Sequence, residues 1–319
     1  VAIDPPKRKR TLWRRLRRAT RGPRNAALAR VITGIAHGVS ALPVPVALGL
    51  GRALGAAAHA LLATPRRLAR IHVAAAFPEL DPAACEAIVR STFRHAGTSY
   101  AELAIWRKLS RDAGYVRIVG REVLDAALAE GRGCLAITGH VGNWELLAAK
   151  VASLDLPLSV VARKVNDERF DALIRSFRGG AGMDILQRDD PQFLTAVRGA
   201  LARGHIVALL IDQDSRGGGV FVPFFGRPAH TPPGAAILAR RTRVPVVSVF
   251  IHRRPDGGHT IRFEALPIAT GADAPDVTTL TARFTATIEA AIRASPAEWV
   301  WWHERWRRQP SDASTPNAS

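Results

Sequence analysis

The residues best able to do chemistry lie in Thr138-Gly139-His140-Val141-Gly142-Asn143-Trp144-Glu145. A short apolar run, Cys134 to Ile137, precedes them, and the helical-looking Leu146 to Ser153 follows. Residues five apart on an ideal helix point about 140° away from each other. His140 and Glu145 can therefore cooperate only if His140 lies in a strand-to-helix turn and Glu145 in the first helical turn. Asn143 suits the N-cap of that helix. A carboxylate so placed holds the imidazole in one tautomer and stabilises the imidazolium formed when it takes a proton. The open helix N-terminus leaves N–H groups to meet an anion. A lone histidine near a carboxylate is more often structural, but this pair lies just past a strand end, where open α/β sheets bind ligands. No serine or cysteine nucleophile in the Gly-x-Ser-x-Gly style is evident. The simplest chemistry is then general-base catalysis, in which His140 deprotonates a substrate hydroxyl that attacks an acyl carbonyl.

Three further stretches could serve such a site. Ile211-Asp212-Gln213-Asp214 follows a second buried strand and runs into Gly217-Gly218-Gly219. Two carboxylates without a neighbouring histidine favour substrate positioning over a metal ion, and no phosphate loop is formed. Val220-Phe221-Val222-Pro223-Phe224-Phe225-Gly226 is very apolar for a loop. It reads as a buried strand or as the wall of a slot for an aliphatic chain, with Phe224 and Phe225 lining it and Thr231 opening a helix nearby. Arg163 and Arg175 could bind phosphate groups, and a solvated surface charge is the plain alternative for each. Trp299-Val300-Trp301-Trp302-His303-Glu304-Arg305-Trp306 has the character of a membrane–water interface, or closes the core.

The elements that must position these residues alternate. Strands are expected at Tyr115–Val119, Cys134–Thr138, Leu158–Ala162, Asp184–Leu186, Ile206–Ile211, Val244–Ile251 and Thr260–Ala265. Helices are expected from Asp81-Pro82 to about Leu109 and at Arg121–Glu130, Asn143–Ser153, Asp167–Arg178, Pro191–Arg203, Thr231–Arg243 and Val277–Ala294. This alternation predicts an α/β fold with a mainly parallel central sheet flanked by helices. Residues 65–310 form that domain.

Residues 1–24 carry ten basic side chains and read as a disordered basic tail. Residues 25–64 are strongly apolar, and the stretch from Val31 to Gly51 holds no Asp, Glu, Lys or Arg. Pro43 and Pro45 divide it into two helices. A spanning anchor, two helices on the membrane surface and a buried hairpin all fit, and the basic tail favours membrane contact. Residues 311–319 read as a disordered tail. The chain of 319 residues is 47% hydrophobic and carries a formal charge of +18, which implies an anionic partner. Aromatics are only 6% and do not interleave with basic residues, so a membrane surface or acidic substrate is favoured over nucleic acid. Cys85 and Cys134 form no metal or redox motif.

Together these residues resemble a known family. His140-x4-Glu145 resembles the H-x4-D/E signature of the lysophospholipid-acyltransferase-like superfamily. Asp212-Gln213-Asp214, Val220 to Gly226, Pro228-Ala229, Thr231, Gly234 and Ala239 are similar to the lipid A late acyltransferase branch, the lauroyl and myristoyl transferases. So are Phe77-Pro78-Glu79-Leu80 and Trp302-His303-x-Arg305. Two departures are Arg70-Ile71-His72, where the branch usually has asparagine after a double arginine, and the Asp-Gln-Asp loop itself. The resemblance implies a membrane-associated O-acyltransferase on the cytoplasmic face of a bacterial inner membrane. It implies His140 as base and Glu145 as its partner, an acyl–acyl carrier protein or acyl-CoA donor, a glycolipid acceptor such as a lipid A precursor, and no metal or organic cofactor. It also implies a binding role for Arg163. A phosphatidylinositol mannoside or lysophospholipid acceptor is the enzymatic alternative. Rivals of other classes are a non-catalytic lipid-binding protein and a nucleic-acid-binding protein.

Overall fold

A computed structural model describes residues 33–163, 182–214, 217–269 and 271–310. The expected basic tail, the helix expected at Asp167–Arg178 and the tail after residue 310 lie outside them.

Residues 33–41 are helical, and the chain breaks at Leu42-Pro43 as the prolines require. Helix α1, Val44–Leu61, follows with Pro43 at its N-cap. Next come α2, Ala63–Ala76, and α3, Pro82–Ala104, which Asp81 caps by accepting from the Ala84 N–H. The single-turn α4, Trp106–Leu109, ends this helical region. In sequence order, the α/β part then contains β1 (Val116–Val119), α5 (Arg121–Ala129), β2 (Cys134–Thr138), α6 (Trp144–Ala152), β3 (Leu158–Ala162), β4 (Asp184–Gln187), α7 (Phe193–Ala202), β5 (Ile206–Leu210), β6 (Val220–Phe224), β7 (Arg227–Thr231), α8 (Gly234–Thr242), β8 (Val246–Arg253), β9 (His259–Ala265) and α9 (Val277–Ala294).

Seven strands form one sheet in the order β1-β9-β8-β2-β5-β3-β4. Every neighbouring pair is parallel except β8 and β9, which turn back through Pro255-Asp256-Gly257-Gly258. The chain is therefore α/β with a mostly parallel central sheet. Strand β2 lies in the middle, and all five of its residues are buried. Both faces of such a strand must be apolar. Leu135 and Ile137 join a core with α2, α3, α7, α8, α9 and the tryptophans, while Cys134 and Ala136 join a second core with α5 and α6.

Strands β6 and β7 stand apart as an antiparallel hairpin. Its turn is Phe225-Gly226, both at positive φ, of 51° and 68°. That pair of left-handed residues is the two-residue turn that matches strand twist. The apolar stretch is thus a strand, as one of its two sequence readings had it. Helix α8 begins at Gly234, with Pro233 at the N-cap position, so Thr231 ends β7 and does not cap the helix.

Helix α1 lies against α3 backbone to backbone. A Cβ on Gly97 would stand 2.2 Å from the Gly51 carbonyl oxygen, so only glycine permits this approach. An adjacent face of α1, about 100° round from Ala47, Gly51 and Gly55, presents Val46, Leu50 and Leu54 to solvent, each at least 40% exposed.

Candidate active site

The site forms where two neighbouring strands end. Strands β2 and β5 pair in parallel with Thr138 opposite Leu210. Two residues further along each chain stand His140 and Asp212. Parallel register alone therefore brings together side chains that are 72 positions apart in sequence. The imidazole Nδ1 of His140 lies 2.8 Å from Asp212 Oδ1, and the backbone N–H of His140 donates to Asp212 Oδ2 at 2.8 Å. The indole N–H of Trp299 donates to the same Oδ2 at 2.8 Å. Asp212 is fully buried and its carboxyl is held well below the usual carboxylate range. Burial opposes ionisation there, but the adjacent His140 and the three hydrogen bonds outweigh it.

The spacing His140-x4-Glu145 assigned the partner of Nδ1 to Glu145. Asp212 occupies that position instead. Glu145 is half-buried in the first turn of α6 and does not line the pocket beside His140. Its distance along the helix is set by α6, whereas Asp212 arrives on the adjacent strand and meets the ring directly.

The turn between β2 and α6 has little freedom. Gly142 has φ +64°, and a Cβ there would stand 1.9 Å from the Ile251 carbonyl oxygen. Its N–H donates to the Glu298 carbonyl at 2.8 Å, and Val141 forms an antiparallel bridge with Trp299. Asn143 caps α6 by accepting from the Leu146 N–H at 3.1 Å. Its amide donates to Glu102 and to the Ser99 carbonyl, and the residue, which the sequence offered both as a cap and as a substrate contact, also lines the pocket beside His140.

The segment after α9 completes the site. Trp299, Trp301 and Trp306 are buried; the first two meet Phe77, Phe224 and Phe225 edge-on, and Trp306 lies tilted against Phe224. They close the core, the second of the two readings that the sequence offered for this run. Arg305 is buried as well. It donates to the His230 carbonyl at 2.8 Å and to Thr231 Oγ1 at 2.6 Å, and burial pushes its pKa down to about 10. Thr231 is thus part of a structural latch. Phe224 and Phe225 belong to the same core and do not line the pocket beside His140. The slot they were expected to form is filled by tryptophan.

A pocket of about 180 Å³ opens beside His140. Helix α3 supplies one wall with His95, Ser99 and Tyr100, and Trp144, Trp302 and His303 supply others. The His303 ring lies 5.6 Å from that of His140, and burial, then the nearby His140, lowers its pKa. Gln213 reaches over His140 with its amide nitrogen 3.1 Å from Nε2. Asp214 points elsewhere, to His230 Nδ1 at 3.1 Å and to Arg307 at 2.7 Å. Arg163 is exposed and bonds Asp189 at 3.2 Å. Arg175 lies outside the described residues. Among the described residues, no group of three or more His, Cys, Asp or Glu side chains could hold a metal ion.

A buried carboxylate that fixes one imidazole nitrogen and leaves the other facing a pocket is the constellation for moving a proton. The profile of the bacterial lipid A biosynthesis acyltransferases matches residues 18–308. The chain belongs to this family. It is therefore an acyltransferase. It is 26% identical over 279 residues to the lipid A biosynthesis palmitoleoyltransferase of Escherichia coli (strain K12), covering 86% of this chain and 89% of that protein. It is 27% identical over 282 residues to the lauroyltransferase of the same organism, covering 87% and 90%. It is also 26% identical over 242 residues to the phosphatidylinositol mannoside acyltransferase of Mycobacterium tuberculosis (strain ATCC 25618 / H37Rv), covering 73% of each chain.

Proposed function

We propose that this chain transfers a fatty acyl group from an acyl thioester to a hydroxyl of a glycolipid, with His140 as the base. The observation that carries the reading is the Asp212–His140 pair at the pocket. With Nδ1–H given to Asp212, Nε2 carries the lone pair, which meets the Gln213 amide in this structure and takes the proton of the acceptor hydroxyl once that hydroxyl replaces the amide. That oxygen attacks the thioester carbonyl, the C–S bond breaks, and the leaving thiolate regains the proton from the imidazolium. Gln213 sits where the acceptor hydroxyl must approach Nε2, and we assign it a role in placing that hydroxyl.

The acceptor is a lipid A precursor in this reading, supported by the family and by the two Escherichia coli relatives. The mycobacterial relative supports a phosphatidylinositol mannoside as the second acceptor. Acyl carrier protein is the donor we favour, because an acidic carrier complements a net charge of +18. The decisive experiment is mass spectrometry of lipids from cells with and without the gene. One acyl chain missing from lipid A supports the first acceptor. A chain missing from mannosides moves the reading to the second, and unchanged lipids in both classes reject it.

Membrane association completes the reading, on the cytoplasmic face of the inner membrane. Helix α1 is 18 residues long with mean hydropathy 1.3, enough to cross a bilayer by length and composition. Its glycine face is committed to α3, which favours a helix lying on the bilayer with Val46, Leu50 and Leu54 buried in it. Leu50→Glu with Leu54→Glu should release the protein from vesicles of anionic phospholipid while its unfolding midpoint stays unchanged. Retained binding would exclude this face.

A further inference from the structure

Behind the pocket lies a second buried carboxylate that the reaction does not use. Glu102, on α3, has no exposed surface and is surrounded by donors. Tyr115 Oη donates to Oε1 at 2.7 Å, and His259 Nε2 lies 2.9 Å from the same oxygen. The Arg253 guanidinium reaches both oxygens, with Nη2 2.9 Å from Oε2. Asn143 Nδ2 donates to Oε2 at 2.9 Å. His259 Nδ1 is buried with no hydrogen-bond partner, so Glu102 is the polar contact of this ring. The cluster thus pairs one buried carboxylate with the Arg253 guanidinium and surrounds it with the further donors Tyr115, His259 and Asn143.

A buried ion pair between α3 and β8 is by itself poor value for stability, since desolvation offsets its attraction. What sets this one apart is where it leads. Arg253 also gives its backbone N–H to Glu298 Oε1 at 3.0 Å. The Glu298 carbonyl in turn accepts from the Gly142 N–H at 2.8 Å. Gly142 is bonded to Asn143, and Asn143 returns to Glu102. These hydrogen bonds and the Gly142–Asn143 peptide close a ring, Gly142–Glu298–Arg253–Glu102–Asn143, through four separate parts of the fold. The ring grips both sides of one peptide in the turn that begins with His140.

We propose that Glu102 is a positioning residue for acyl transfer, acting through Asn143 and this ring to hold the His140 turn in register with Asp212. The proposal rests on the assignment of His140 as base. Asp212 fixes the imidazole from in front, and Glu102 fixes from behind the backbone that carries it. A turn held from one side only would let His140 drift from the hydroxyl it deprotonates, and small displacements at a reacting centre cost large factors in rate.

The test uses the full chain and Asn143→Ser. Serine keeps the N-cap acceptor of α6 but has no amide to reach Glu102. Amide hydrogen exchange across residues 139–143 should accelerate roughly tenfold or more, as expected for loss of a hydrogen bond to a charged group. The kcat should fall by about the same factor with KM for both substrates unchanged. Glu102→Gln should show the same pattern wherever its unfolding midpoint shows it folded. Unchanged exchange and kcat in Asn143→Ser would overturn the proposal. So would a raised KM with unchanged kcat, which would make Asn143 a substrate contact. A wild-type protein without acyl transfer, but with the faster exchange in the variant, would support the anchoring and defeat the acyl-transfer reading separately.

Discussion

His140 and Asp212 are joined twice, through the backbone N–H and through the imidazole Nδ1, each at 2.8 Å. One carboxylate therefore sets both where the histidine backbone lies and how its ring is turned. Trp299 supplies a third donor, so the segment after α9 is needed before the pair is complete. Only Nε2 is left to face the pocket.

The double contact predicts an asymmetry between two carboxylates. Asp212→Asn keeps the shape but offers an N–H where His140 needs an acceptor. Its kcat should fall on the order of 10³-fold or more, as for a triad aspartate changed to asparagine. Glu145→Gln should cost clearly less. Steady-state rates on matched, folded variants check this. A larger loss in Glu145→Gln would return the orienting role to the residue that sequence spacing first suggested.

Much of this arrangement was legible in the chain and part of it was not. The strand Cys134–Thr138, the cap at Asn143 and the helix Val277–Ala294 follow from apolar runs and capping residues, which act locally. The break at Leu42-Pro43 follows from proline. Asp212 stood out as a residue after a buried strand, but its partner could not be read. That required knowing that β2 and β5 are neighbours in register. The tryptophan run left two readings open because composition does not tell an interface from a core. Trp299 and Trp301 are the largest fully buried side chains, and the segment carrying them has little regular structure. The hairpin turn was hidden because Phe225, not asparagine or glycine, takes the first left-handed position. The Phe225 N–H donates to Glu289 at 2.6 Å, and the Arg293 guanidinium lies 4.5 Å from its ring centre.

The buried arginine predicts a stability effect remote from the reaction. Arg305 binds the His230 carbonyl and Thr231 Oγ1 with two arms of its fork, and lysine cannot reproduce that geometry. Arg305→Lys should lower unfolding free energy by about 2 kcal/mol, the scale of losing charged hydrogen bonds and leaving an acceptor buried. Urea titration measures it. An unchanged midpoint would show that the latch contributes nothing.

The α1–α3 crossing predicts that the mildest side chain is too large. In Gly97→Ala, the new methyl would stand 2.2 Å from the Gly51 carbonyl oxygen and 2.7 Å from the Gly55 nitrogen. The helices must part, at a cost of roughly 1–3 kcal/mol for overpacking. Proteolysis should then cut within α1 faster than in the wild type. Equal stability and equal cleavage rates would refute the close crossing.

The buried carboxylates predict acid sensitivity. Burial opposes ionisation at Asp212, Glu102 and Glu298, yet neighbouring donors hold all three below the ordinary carboxylate range. Folded-state pKa values lower than unfolded ones near about 4 give stability that is complete above that value and lost as pH falls below it. Urea midpoints should drift down from about pH 7 to 5, as the unfolded chain takes up protons that buried His72, His95 and His303 resist, and fall steeply below about pH 4. Glu102→Gln should flatten the fall by one titrating group. A slope unchanged in that variant would remove Glu102 from the account.

The central claim is that His140 takes the acceptor proton for transfer from a thioester. Its most direct test is a reconstituted assay with labelled acyl–acyl carrier protein and a lipid A precursor in detergent, comparing wild type with His140→Ala. Labelled, chain-extended lipid should form with the wild type. With His140→Ala the product should be lost, while the unfolding midpoint and vesicle binding stay at wild-type values. Full-rate transfer by that variant would contradict the account.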